Sequence, residues 1–309
     1  MEIDEKLLTR EEKADLKLRR LFEQAGFKRY AMSRFEPYDL YVENKDFVGL
    51  DRIITFSDIG GKLMALKPDV TMSILRRVSD VPGSLMKVYY NENVYRARPG
   101  DGAFREIMQS GVECIGDLGP SDIYDVILLA VRALDALHQD NVLTLSHSLF
   151  VAGLLNLAGV PAAMENKLLH LVRDKNADGI KKLCRGFGIN EQGCALLLQL
   201  IGIYGPLEES IIKMSAIQGN AMMRDAVKDL AGVNAALLPF GAQQHVRVDF
   251  SIMNNMQYYD GIVFKGYLNG LPGGVLSGGQ YSGMLQKMGH SMGAIGFAVY
   301  LNELEYLND

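Results

Sequence analysis

The sequence predicts an α+β protein in which a helical segment interrupts a strand-rich frame. Three observations lead there. Hairpin signals fill residues 50 to 116, residues from about 147 to 240 are rich in Leu, Ala, Lys and Glu, and strand patterns return after 245. Strands and helices come in blocks instead of alternating βαβ units, the arrangement that separates α+β from α/β folds. The frame is read as 1–159 and 221–309, with 160–220 as a helical insertion.

Thr9-Arg10-Glu11-Glu12 forms a capping box, in which the threonine hydroxyl and the glutamate three residues on satisfy free amides of a helix start. Ala14, Leu18, Leu21, Phe22 and Ala25 then recur at helical spacing, and Gly26 is placed to end the helix in a left-handed cap. IITFSD, Gly60-Gly61 and KLMAL spell a hairpin whose turn needs a positive φ, its second strand running on into Lys67-Pro68-Asp69-Val70-Thr71. LMKVYYNENVYR and REIMQSGVECIG pair across the turn residues Pro99-Gly100-Asp101-Gly102. Ser121 is the expected cap of a long helix, with Asp122 and Asp125 in its first turn and Ile123, Ile127, Ala130, Val131 and Leu134 as its apolar face. VLTLS is a strand, the all-helical insertion follows, and HVRVDFSI and YYDGIVFKGYL return to strand pattern. Gly273, Gly274, Gly278, Gly279 and Gly283 read as a structural turn, and 294–301 as a buried strand or helix.

With 48% apolar and 22% charged residues, 309 residues can bury a substantial core. The net charge of -5 gives no basic field, so no nucleic-acid partner is expected. Cys114, Cys184 and Cys194 lack CxxC spacing, and His138, His147, His170, His245 and His290 include no HxH, HxxxH or HExxH pair. Neither a disulfide framework nor a metal site is expected. The glycines match neither GxxxxGK[ST] nor GxGxxG with its strand and helix, and no GxSxG elbow occurs, so no cofactor and no nucleophile is predicted. The opening MEIDEKLLTREEK has no apolar stretch, and no run of about 18 apolar residues follows. The expectation is a cytoplasmic protein with no membrane partner.

Polar residues inside apolar strands carry the candidate chemistry. Period-two alternation puts Ile107, Gln109, Gly111, Glu113 and Ile115 on one face, with Gln109 and Glu113 roughly 13 Å apart and Gly111 leaving the floor between them bare. This makes either a slot for a small polar molecule, amide at one end and carboxylate at the other, or a solvent-facing strand edge. Asp69 and Thr71 share a strand face if the strand continues through Pro68, and would then cradle an ammonium group; otherwise Pro-Asp is a turn or helix cap. Arg96 ends an apolar strand, where a guanidinium clamps a carboxylate or phosphate or simply faces water. Tyr258 and Tyr259 precede a buried GIVF, so one ring points inward and needs a hydroxyl partner.

In order along the chain, LKLRRLFEQAGFKRY with FEPYDLY, MALKPDVT, NVYRARPGDGAFREIMQSGVECIG, VDFSIMNNMQYYDGIVF, LSGGQYSGML and GAIGFAVYLNEL resemble the segments of the histidyl-tRNA synthetase catalytic core and of its noncatalytic paralogues, regulatory subunits of short-form ATP phosphoribosyltransferase. The resemblance covers nearly the whole chain. It implies a class II aminoacyl-tRNA synthetase-like, six-stranded antiparallel sheet flanked by helices and a self-dimer. It also implies an amino-acid pocket: Asp69 and Thr71 at the ammonium, Arg96 and Gln109 near the carboxylate, Glu113 and Tyr258 or Tyr259 towards an imidazole.

The same resemblance separates catalyst from regulator. Adenylate formation needs cations fixed where charge develops on phosphate. The motif 3 arginine position holds Glu303, the histidine-specific one Asn254 and the GGR one Gln280; the acidic adenine reader of motif 2 is Arg98 and the motif 1 proline is Ser33. The resemblance therefore implies a regulatory subunit without catalysis of its own. Its partner would be the catalytic subunit of the short-form transferase in a hetero-oligomer, a hetero-octamer in the family, with histidine as effector. An amino-acid-activating enzyme and a free-standing amino-acid sensor are the alternatives.

Overall fold

Helix α1 (Arg10–Gln24) starts where the capping box puts it. In the computed structural model Thr9 Oγ1 accepts from Glu12 N at 3.2 Å and Glu12 Oε2 accepts from Thr9 N at 2.8 Å. Gly26 ends the turn with φ +83°. The structure describes residues 5–45, 47, 49–78, 81–97, 102–253 and 258–307.

The chain continues through β1 (Lys28–Arg29), β2 (Phe35–Pro37), α2 (Asp39–Glu43), β3 (Thr55–Ser57), β4 (Leu63–Leu66), α3 (Val70–Leu75), β5 (Leu85–Ala97) and β6 (Phe104–Gly116). Next come α4 (Pro120–Leu137), β7 (Asn141–His147), α5 (Ser148–Leu157), α6 (Ala162–Arg173), α7 (Ala177–Phe187), α8 (Glu191–Gly202), β8 (Tyr204–Pro206), α9 (Leu207–Ser215) and α10 (Ala221–Leu237). The last elements are β9 (Val246–Asp249), β10 (Ile262–Leu268), β11 (Gly274–Gln280), α11 (Ser282–Lys287) and β12 (Gly293–Tyr300).

Two units result. The first takes the chain up to Leu118, with Asn269–Ser277 and everything from Ser282 onward. Its strands lie in the order β1-β5-β6-β12-β11, beside a small sheet β2-β4-β3. The β3–β4 hairpin turns through Gly61 at φ +79°, as its sequence requires. One face of the larger sheet packs on α1, where Phe22 meets Tyr89 and Phe297 with ring centroids 6.1 and 5.8 Å away. The second unit, Gly119–Leu268 with Gly278–Tyr281, orders its strands β10-β7-β9-β8. There α4 packs on β7 and β10, and α10 packs on α4 and α5. The 160–220 segment lies wholly inside this unit.

Several expectations need correction. The sheet strands are not all antiparallel, because β1 runs parallel to β5 and β7 parallel to β9. The cap of helix α4 is Gly119, two residues before Ser121: Pro120 takes the first helical position, where its missing N–H costs nothing, and Asp122 Oδ2 accepts from Gly119 N at 3.0 Å. The segment expected to be all helical carries β8, three residues too short to leave a periodic pattern, paired with β9. Of the glycine stretch, Gly273 lies in a bend, Gly274, Gly278 and Gly279 in strand β11, and Gly283 in the first turn of α11. A Cβ on Gly279 would lie 2.7 Å from both Ile262 O and the Tyr259 ring, so glycine serves close approach there. The segment 294–301 resolves as strand β12. Pro99, Gly100 and Asp101 of the long hairpin's turn lie outside the described residues. No helix among the described residues is long and apolar enough to cross a membrane.

Candidate functional site

Directly opposed residues of an antiparallel ladder point to the same face. On the face of the first unit's sheet opposite α1, Glu92, Gln109 and Tyr300 form one row across β5, β6 and β12. Tyr90, Gly111 and Ala298 form the next, and Val88, Glu113 and Gly296 the one after.

Helix α3 delivers two further groups. Pro68 has no N–H to continue the β4 ladder, and Asp69 caps a helix instead, its Oδ1 accepting from Met72 N at 2.9 Å. Of the two arrangements open for Asp69 and Thr71, the helix cap is the one formed. The helix nonetheless aims both at the sheet. Asp69 Oδ2 lies 3.6 Å from Arg96 Nη2, and the Thr71 hydroxyl donates to Glu113 Oε1 at 2.7 Å. Arg96 Nε donates to Pro68 O at 2.7 Å, while its side chain stays 35% exposed. The N-terminus of α3, not a strand, thus brings Asp69 to Arg96 and Thr71 to Glu113.

The bare floor expected over Gly111 is filled. A Cβ there would lie 2.5 Å from the Tyr90 hydroxyl, and the Glu113 carboxylate covers Gly296. Gln109, only 4% exposed, makes no side-chain hydrogen bond among the described residues. A polar ligand on this face would find both a donor and an acceptor in that amide. Tyr258 and Tyr259 belong to the second unit, where their rings meet edge to face at 4.7 Å and Tyr258 also approaches Tyr281 at 6.1 Å.

The positions where the sequence departs from the synthetase pattern are placed as follows. Gln280 Oε1 accepts from Ile262 N at 2.7 Å, and its side chain lies over Gly261. Glu303 is half-buried in a 3-10 turn, Leu301–Tyr306. Ser33, exposed, accepts from Phe35 N at 3.1 Å. Asn254 and Arg98 lie outside the described residues.

Three features beside the site escaped the sequence. Lys67 is fully buried, its Nζ 2.7 Å from Glu92 Oε2. The Tyr41 hydroxyl donates to the buried Glu36, and burial first, then the Glu36 charge, push that phenol far above its ordinary value. Tyr300 stands beside Gln109, its phenol also raised chiefly by burial. Period two put Glu92 on the Gln109 face, a signal that was available; the partners of Lys67 and Tyr41 were not.

The family described as histidyl-tRNA synthetase matches residues 2–304. An ATP phosphoribosyltransferase regulatory subunit of Clostridium botulinum is 26% identical over 295 residues, covering 93% of this chain and 69% of that protein. An ATP phosphoribosyltransferase regulatory subunit/histidyl-tRNA synthetase of Bacillus halodurans superposes with a TM-score of 0.83 at 25% identity, over 97% of this chain and 79% of that one. A chain of the ATP phosphoribosyl transferase (HisG:HisZ) complex from Thermotoga maritima superposes with a TM-score of 0.74, over 94% of this chain and 97% of that one. At 19% identity that likeness concerns the fold alone. With the match running over almost its entire length, the chain belongs to the histidyl-tRNA synthetase family.

Proposed function

We propose that this chain is a regulatory subunit that activates the short-form ATP phosphoribosyltransferase catalytic subunit, in the first step of histidine biosynthesis, and performs no catalysis itself. One observation carries the distinction from an amino-acid-activating enzyme: Gln280 spends its amide on a backbone N–H where a synthetase would hold a guanidinium. An amide so engaged supplies no positive charge to a reacting phosphate, and the half-buried Glu303 carboxylate would repel one. Relatives named as regulatory subunits, spanning most of the chain, support the assignment.

The face that holds Asp69, Thr71, Arg96, Gln109 and Glu113 suits a zwitterion. Its carboxylate would meet Arg96 and Gln109, its ammonium Asp69, and an imidazole Glu113. Histidine is the occupant we assign, acting as effector in the cytoplasm on a hetero-octamer that contains a self-dimer of this chain. The test is reconstitution with the catalytic subunit. Transferase activity should rise on mixing, histidine should lower it, and ATP–pyrophosphate exchange should stay undetectable with any amino acid. Exchange above background, or a catalytic subunit indifferent to this chain, would overturn the assignment.

A further inference from the structure

Along β12 the site face shows Gly296, Ala298 and then Tyr300, two small residues followed by a phenol. Gly296 is covered by the Glu113 carboxylate, and Gly111, the neighbour of Ala298, by Tyr90. The next row holds Gln109, itself only 4% exposed. Tyr300 is the residue directly opposite Gln109 in the ladder. Its phenol lies near Ser277 and within electrostatic reach of Arg96 and Asp69. A ring whose base is fixed by the ladder has only a few staggered rotamers open to it.

We propose that Tyr300 sets the size limit of this site: its ring closes the ground beyond Gln109, so a free α-amino acid fits and the same amino acid joined to a nucleotide does not. The proposal deepens, and rests on, the reading of this face as an amino-acid site. A nucleotide attached at the carboxylate would extend past Arg96 and Gln109 into the volume the ring holds. Overlap with packed atoms is not relieved by small adjustments, because interiors are close-packed.

Isothermal titration of the purified chain with histidine, and separately with the non-hydrolysable histidyl sulfamoyl adenosine, tests this for wild type, Tyr300→Phe and Tyr300→Ala. Wild type and Tyr300→Phe should bind histidine and give no heat with the adenosine compound. Tyr300→Ala should bind the adenosine compound at least about tenfold more tightly than wild type does, a gain of about 1.4 kcal/mol. Circular dichroism checks folding, and Tyr300→Thr, a better strand former, replaces the alanine variant if that fails to fold. Equal binding of the adenosine compound to wild type and Tyr300→Ala overturns the size limit. So does its binding to neither when both bind histidine. If histidine binds to no variant while Tyr300→Ala alone takes the adenosine compound, the size limit stands and the histidine assignment falls. Binding of neither ligand to any variant overturns both.

Discussion

Replacing Lys67 by methionine tests how far the site depends on a buried ion pair beneath it. Lys67 is fully buried with Nζ 2.7 Å from Glu92 Oε2, and the Glu92 side chain is 16% exposed. The Lys67 backbone is tied as well, its N–H donating to Arg34 O and its carbonyl accepting from Tyr95 N, both at 2.9 Å. The residue therefore pins the segment leading to Asp69 onto β5. Removing one member of a buried pair leaves the other charge uncompensated, at a cost of about 3–5 kcal/mol. Because Glu92 retains some contact with water, the lower end, about 3 kcal/mol, is expected for Lys67→Met. Removing both charges with Lys67→Met and Glu92→Leu should bring stability back to within about 1 kcal/mol of wild type, a recovery of about 2 kcal/mol over the single variant. Urea denaturation followed by circular dichroism reads this. At a slope of about 3 kcal/mol per molar, the single variant unfolds at a midpoint about 1 M lower. If single and double variants unfold together, the pair contributes no coupling and the reasoning fails.

Glu113→Ala removes a charge-assisted hydrogen bond worth about 1.5–3 kcal/mol, so histidine inhibition of the reconstituted complex should weaken by roughly 10- to 150-fold. Sedimentation must show intact assembly, and an unchanged inhibition curve would assign Glu113 to structure. The Tyr41 proton is held in the folded protein above the ordinary 10.0, while the unfolded chain releases it there. Its contribution is complete below pH 10.0 and is lost as the pH rises beyond it, so thermal midpoints should fall between pH 10 and 11, and fall less in Tyr41→Phe. Equal slopes would contradict this. Burial, then the neighbouring Cys194, push the Cys184 thiol up to about 12. Alkylation of Cys184 at pH 8, followed by peptide mass, should be much slower folded than unfolded, and equal rates would refute it. Gly111→Ala drives a Cβ into Phe297 O and the Tyr90 ring, and should cost about 1–3 kcal/mol in the same urea assay; a neutral effect would show that the strands can part.

What the sequence determined by itself is what acts over a few residues. Thr9 and Glu12 fix the start of α1, Gly26 and Gly61 supply the positive φ their turns require, and period two puts Gln109 and Glu113 on one face of β6. Each follows from backbone geometry within one turn or one strand. The family resemblance added the order of the segments and the ligand groups that Asp69, Thr71 and Arg96 are expected to meet. Only the tertiary structure decided how the site is filled. Thr71 meets Glu113 across 42 positions and Lys67 meets Glu92 across 25. Tyr90 occupies the floor that Gly111 left bare, and Tyr300 reaches Gln109 only because β12 pairs with β6 in that register. Gly274, Gly278 and Gly279 read as a turn because their sequence has no strand pattern, yet the approach of Ile262 and Tyr259 demands a residue without a Cβ at Gly279. Close packing between distant segments has no local period, so no window of the sequence could display it.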